Sequence, residues 1–210
     1  SDVCSSDLTL LPGEGVEPEL FYGPPDSIQS NPVFSPDGQW LAYWSNEEGS
    51  NEVYVQPFPA APGVRHRITQ NTGAMPLWSP DGTEVTFARD EGLWTVPSAF
   101  SGSPMPLSGT EAQGTQGPGS WSPDGMVLLF ASSEGIHAWR QEEQATEVIV
   151  AAPENRIIRY PEFSPDGRWF VYASDETGSP EIYASPYPVS DGARQRITTD
   201  GGIAPVWVQG

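Results

Sequence analysis

The sequence predicts an all-β fold: an open β-propeller arc of four complete four-stranded antiparallel blades, with partial blades at both ends. Three observations predict it. FSPDG stands at 34–38 and 163–167, and WSPDG at 78–82 and 121–125. The serines of the phrase, Ser35, Ser79, Ser122 and Ser164, recur at nearly equal intervals, and a period of about 43 residues is the length of one four-stranded blade. Each period also holds four short β-like segments separated by turn residues, in a chain rich in glycine (22) and proline (23).

The first period shows the plan. PVF is a short apolar stretch (strand a). QWLAYWS follows the turn (strand b), EVYVQ follows a polar loop (strand c), and VRHRIT follows a Pro-rich connection (strand d). Between a and b the chain must reverse within a tight turn. Serine suits the first position, proline pre-sets φ at the second, aspartate binds local backbone donors at the third, and glycine supplies a positive φ at the fourth. Pro36, Asp37 and Gly38 are therefore read as a hairpin corner. Pro80, Asp81 and Gly82, Pro123, Asp124 and Gly125, and Pro165, Asp166 and Gly167 are read the same way. The competing reading, a ring of four aspartates binding a metal or substrate, explains none of the neighbouring residue types.

Strand b supplies the expected core. Aligned on the turn glycine, Leu41, Val85, Leu128 and Phe170 share one position, and Tyr43, Phe87, Phe130 and Tyr172 lie two positions further on. A step of two keeps both sets on one face. Strand c adds Val53, Leu93, Ile136 and Ile182. The stretch from turn glycine to strand c is longer in the outer copies, Gly38 to Val53 and Gly167 to Ile182, than in the middle ones, Gly82 to Leu93 and Gly125 to Ile136. Length variation therefore falls on one face of the blades, where loops carry binding functions.

The expected division is 31–73, 74–117, 118–159 and 160–203 for four blades. Residues 9–30 are expected as outer strands of a preceding blade, and 204–210 as the first strand of a following one, because Pro205 and Trp207 echo Pro32 and Phe34. Residues 1–8, SDVCSSDL, have no place in the repeat and resemble a sequencing-adapter oligonucleotide translated in one frame. On that reading Cys4, the single cysteine, carries no redox information, and the natural N-terminus lies elsewhere, so a missing leader says nothing of compartment.

The mean hydropathy is −0.40, and no apolar run approaches the length needed to span a bilayer as a helix. All nine bases are arginine, against 28 acids and a net charge of −19. Such a field repels phosphate backbones and disfavours nucleic acid as a partner. No Walker or dinucleotide loop, nucleophile elbow or EF-hand pattern occurs, so neither a catalytic group nor a cofactor is expected in this chain. His66 and His137 have no second ligand at metal-binding spacing; His137 aligns with Tyr54, Trp94 and Tyr183 as an ordinary strand-c side chain. One constellation stands out. Every b–c loop is acidic: Glu47 and Glu48, Asp90 and Glu91, Glu134, then Asp175 and Glu176. These loops share one rim, either as an acidic surface for a basic peptide or divalent cation, or as solvated hairpin loops.

The segments FSPDGQWLAYWSNEEGSNEVYVQPFP and FSPDGRWFVYASDETGSPEIYASPYP resemble the WD-type repeats of TolB-like β-propellers, over residues 31–203. VYVQPFP followed by RHRIT is similar to the propellers placed C-terminally in bacterial eukaryotic-like serine/threonine kinases. That resemblance implies a ring of six or more blades that binds proteins, peptides or ligands without chemistry of its own, within a larger signalling protein and in an extracytoplasmic or periplasmic setting. It also leaves two alternatives: the gating propeller of a prolyl-oligopeptidase-like peptidase, and a periplasmic TolB-type envelope scaffold. The partners implied are a protein or peptide and the missing blades of the parent propeller. The middle copies depart from the pattern: PFP gives way to PSAF and RQEE.

Overall fold

A computed structural model defines the fold for residues 27–59, 63–90, 92–99, 102–111, 114, 117–190 and 192–208, and for the backbone of 9–10 and 19–20. Residues 1–8 lie outside the described residues. At the N-terminal end, β1 (Thr9–Leu10) pairs antiparallel with β2 (Glu19–Leu20). Four four-stranded antiparallel sheets then follow one another along the chain, each ordered sequentially. The first contains β3 (Gln29–Phe34), β4 (Trp40–Ser45), β5 (Glu52–Pro57) and β6 (His66–Arg67). The second contains β7 (Ala74–Trp78), β8 (Glu84–Arg89), β9 (Gly92–Pro97) and β10 (Met105–Pro106). The third contains β11 (Gly117–Trp121), β12 (Val127–Ala131), β13 (Gly135–Arg140) and β14 (Ala145–Ala151). The fourth contains β15 (Ile158–Phe163), β16 (Trp169–Ser174), β17 (Glu181–Pro186) and β18 (Gln195–Arg196). The first strands of successive sheets touch one another, so the sheets fan about the side that those strands share. The architecture is a β-propeller arc without helices among the described residues.

The repeated phrase closes each a–b corner through one network. The carbonyl of Ser35 accepts the N–H of Gly38 at 2.8 Å, and Gly38 has φ of 69°. The Ser35 hydroxyl donates to Asp37 Oδ1 at 2.5 Å and accepts the N–H of Trp40 at 3.0 Å. Asp37 Oδ1 also accepts the N–H of Gln39 at 3.0 Å. The same three side-chain bonds recur around Ser79, Ser122 and Ser164. All four serines are buried. The serine therefore does more than occupy a turn position: it ties the aspartate to the first amide of strand b. These bonds, the serine hydroxyl first and the backbone N–H second, hold Asp37, Asp81, Asp124 and Asp166 below the ordinary carboxylate pKa.

All eight strand-b positions named above are buried, as are the four of strand c. Nine of these twelve pack in clusters that join neighbouring sheets. Val53 and Val55 meet Val85, Phe87 and Val96; Leu93 meets Leu128, Phe130 and Trp139; Leu129 and Ile136 meet Phe163, Phe170 and Tyr172. Each such side chain contributes about 1.5–3 kcal/mol. Inter-sheet hydrogen bonds add direction: Trp78 Nε1 donates to Val33 O at 3.2 Å, and Trp139 Nε1 to Ser108 O at 2.9 Å.

The two ends differ from the middle. Phe34 is 41% exposed, whereas its equivalent Phe163 is 5% exposed. Ile68 is 8% exposed beneath the second sheet, and its equivalent Ile197 is 56% exposed. Residues 204–208 belong to no strand, a difference from the first strand expected there, because no following strand is present among the described residues to form a ladder with them. Trp207 nevertheless docks as Trp78 does, its Nε1 donating to Glu162 O at 3.1 Å.

Candidate functional site

The innermost strands are irregular along their backbone. Each is interrupted by a register shift: between Ser30 and Val33, Ala74 and Leu77, Pro118 and Ser120, and Arg159 and Glu162. At the first, second and fourth of these shifts Asn31, Met75 and Tyr160 have φ of 52°, 53° and 55°, Gly117 just before the third has 119°, and Ala204 repeats the positive φ at 50°. A left-handed conformation in Met, Tyr or Ala costs free energy that surrounding structure must supply, and such residues cluster at ligand-holding sites. The residue after each is a proline, tolerated because a bulge needs no ladder donor there. Gly119 is required by proximity: a Cβ on it would lie 2.3 Å from the carbonyl oxygen of Pro161.

These bulges surround a hollow of about 630 Å³, open to solvent, with Asn31, Met75, Arg159, Tyr160, Glu162 and Ala204 among its lining residues. Glu162 is half-buried, and burial raises its carboxyl pKa; its Oε1 accepts the N–H of Trp207 at 3.4 Å. Arg159 and Tyr160 are exposed. Among the described residues seven arginines form ion pairs, and Arg159 is not one of them. The hollow thus offers a cation, a carboxyl, an aromatic ring and apolar walls. Sequence reasoning uses the Xaa-Pro step before each strand-a aromatic only to set register. Its recurrence at Asn31, Met75, Tyr160 and Ala204 is the signal that could have found this site.

Several of the acidic-loop carboxylates have partners within the chain. Glu47 is paired with Arg65 and Glu48 with Arg67. Glu176 accepts two bonds from Arg194, at 2.7 and 3.1 Å. Asp90 lies 3.6 Å from Arg89, and Asp175 Oδ1 accepts the N–H of Ile157 at 2.7 Å. Glu134 enters its loop through a backbone N–H bonded to Ser132 Oγ. Glu91 lies outside the described residues. In the long-loop blades Arg65, Arg67 and Arg194, from RHRIT and RQRIT, are thus partners of loop carboxylates, whereas Arg196 pairs with Glu181 of β17. Beside them sit two buried acids that sequence reasoning does not single out, Glu52 and Glu181. Thr69 Oγ1 donates to Glu52 at 2.5 Å while accepting the N–H of Val53 at 2.8 Å; Thr198, Glu181 and Ile182 repeat this. These groups join strand d to strand c.

Among the described residues no group of three or more His, Cys, Asp or Glu side chains is arranged to hold a metal ion. No described helix is long and apolar enough to cross a membrane. His137 is buried, stacked on Phe130 at 4.6 Å, with Nε2 2.6 Å from Ser132 Oγ. His66 is exposed and tilts against Trp40.

No family model matches the sequence. Among solved structures the chain is similar to a TolB protein of Agrobacterium tumefaciens, at 21% identity and a TM-score of 0.72, over 90% of this chain and 69% of that one. It is similar to TolB of Acinetobacter baumannii at 20% identity and a TM-score of 0.72, over 91% of this chain and 48% of that one. It spans about half the length of the latter. A prolyl endopeptidase is similar at 13% identity and a TM-score of 0.58, over 89% of this chain and 32% of that one. The chain is therefore a β-propeller, open as an arc. Its fold is the TolB-like one, and at these identities the likeness is one of fold.

Proposed function

We propose that this chain is a non-catalytic binding module within a larger bacterial signalling protein, and that it holds an extended segment of a protein partner in the hollow of its inner strands. The observation that carries this reading is the convergence of four strained, non-glycine residues, Asn31, Met75 and Tyr160 of the inner strands and Ala204 beyond the fourth sheet, on one solvent-open concavity. A peptide presents both charge signs and apolar side chains, which matches Arg159, Glu162, Tyr160 and Met75. Selection of a random peptide library on the full chain tests it. Selected peptides should bind the Arg159→Ala/Tyr160→Ala double variant about tenfold more weakly or worse, as loss of central anchor residues does. Binding that is indifferent to both substitutions sinks the reading.

The likeness to a prolyl endopeptidase favours a second reading, a propeller that gates a peptidase domain. The likeness to TolB favours an extracytoplasmic scaffold. Sequencing the flanking coding DNA separates them: a kinase domain upstream supports the signalling module, an α/β-hydrolase domain downstream the gate, and neither the scaffold.

A further inference from the structure

Three of the four sheets end in an outer strand of two residues, β6, β10 and β18. The third ends in β14, which runs for seven, Ala145–Ala151. The cause lies in the connection from strand c. Pro57 and Pro186 close the third strands of the first and fourth sheets, and Pro59 and Pro188 follow them, where a missing N–H stops ladder growth. In the third sheet residues 141–144 close a tight turn that sets Arg140 opposite Ala145, and pairing continues to Ala151 with one register shift.

β14 is the edge of its sheet. Natural edges are blunted by brevity, proline, lysine or a bulge, and of these β14 has only the single register shift between Val148 and Val150. The sequence ATEVIVA has neither proline nor lysine, and Val148 is 45% exposed. Its one charged residue, Glu147, is tied to Arg140. Around this edge stand Glu142 and Glu143 in the turn and Glu154 beyond the strand, all exposed and in no ion pair among the described residues. A row of open backbone donors and acceptors beside unpaired carboxylates suits strand addition by a cationic chain. A second copy of this chain fits poorly, because it would set the same acids against each other within a molecule of net charge −19.

We propose that β14 is a docking edge for an extended, basic segment of a protein partner, which adds to the third sheet as a fifth strand. This surface is separate from the inner hollow and does not depend on it. The probe is an octapeptide of alternating Arg and Thr, capped at both ends, titrated into the full chain by calorimetry. Three results are expected. Amide exchange slows at Ala145–Ala151 on binding. A fully N-methylated peptide of the same sequence binds about tenfold more weakly or worse, because it has no N–H to donate. The Glu142→Gln/Glu143→Gln/Glu154→Gln variant also weakens binding, whereas Arg159→Ala/Tyr160→Ala does not. The proposal is overturned by equal binding of the methylated peptide, by protection elsewhere, by equal binding of a Glu/Thr peptide, by absence of heat at millimolar peptide, or by sedimentation showing β14-mediated dimers instead.

Discussion

Tyr172 stacks on Tyr183, with ring centroids 5.7 Å apart and planes inclined by 19°. Arg194 lies over the outer face of Tyr183 at 4.8 Å and bonds Glu176 in turn. The same column recurs in the first sheet as Tyr43, Tyr54, Arg65 and Glu47. Each column crosses its sheet from the second strand to the outer strand and ends in the b–c loop.

Removal of the innermost ring should therefore be costly. Tyr172 is fully buried, and Tyr172→Ala should destabilise the chain by about 3–5 kcal/mol. Tyr172→Phe should cost about 1 kcal/mol or less, since its hydroxyl meets Arg194 only at 3.5 Å. Guanidinium unfolding read by tryptophan fluorescence checks both. A loss under about 1 kcal/mol for the alanine variant would contradict the packing.

The outer end of the column is electrostatic. Glu47 has a side chain only 8% exposed, so Arg65→Met leaves a carboxylate shielded from water and unpaired. The expected cost is about 2–3 kcal/mol, and Glu47→Gln should restore part of it in the double variant. Additivity of the two substitutions would show that the pair is not coupled.

His137 makes stability depend on pH near neutrality. Burial holds its pKa below the ordinary histidine value and outweighs the nearby Glu134. The unfolded chain thus binds the proton more readily. Stability is fully present above about pH 6.5 and falls as pH drops through that value toward the lower folded pKa. Thermal melts between about pH 7 and pH 5 should show this slope, and His137→Phe, which keeps the stack on Phe130, should flatten it.

The turn aspartates act at lower pH. Their folded pKa values are depressed, so their contribution is present above about pH 4 and is lost as pH falls through the folded values. Asp124→Asn should reduce the slope of acid unfolding and lower stability at pH 7, where the contribution of the carboxylate is fully present. Ser122→Ala removes a buried hydroxyl from Asp124 and from the N–H of Val127, and should cost about 1–2 kcal/mol at pH 7.

The fold was legible because a propeller blade states itself locally. Pro36, Asp37 and Gly38 are required by one turn, and Leu41 and Tyr43 by one strand face, whatever the rest of the chain does. The inner hollow was not legible in the same way. Asn31, Met75, Tyr160 and Ala204 share no side-chain chemistry; they share a backbone conformation, which residue types do not advertise. The ionic columns were hidden for a different reason. Glu47 and Arg65 are distant along the chain, and only the pairing of β5 with β6 brings the arginine over Tyr54 toward the loop. The long edge of β14 was signalled by RQEE replacing PFP, a substitution that reads as a lost pattern until the missing prolines are recognised as an absent stop.

The indole bonds from Trp78 to Val33 O and from Trp207 to Glu162 O give the assembly a grammar. At these two junctions the incoming indole grips the sheet before it through a backbone atom that any residue provides, whereas Trp121 Nε1 has no hydrogen-bond partner among the described residues and the N–H of Phe163 bonds Ser120 Oγ instead. Blade number can therefore change by copying or deleting a stretch of coding sequence of about one repeat, without rewriting the neighbours. Proteins of this kind can vary in circumference faster than they vary in the design of a single leaf.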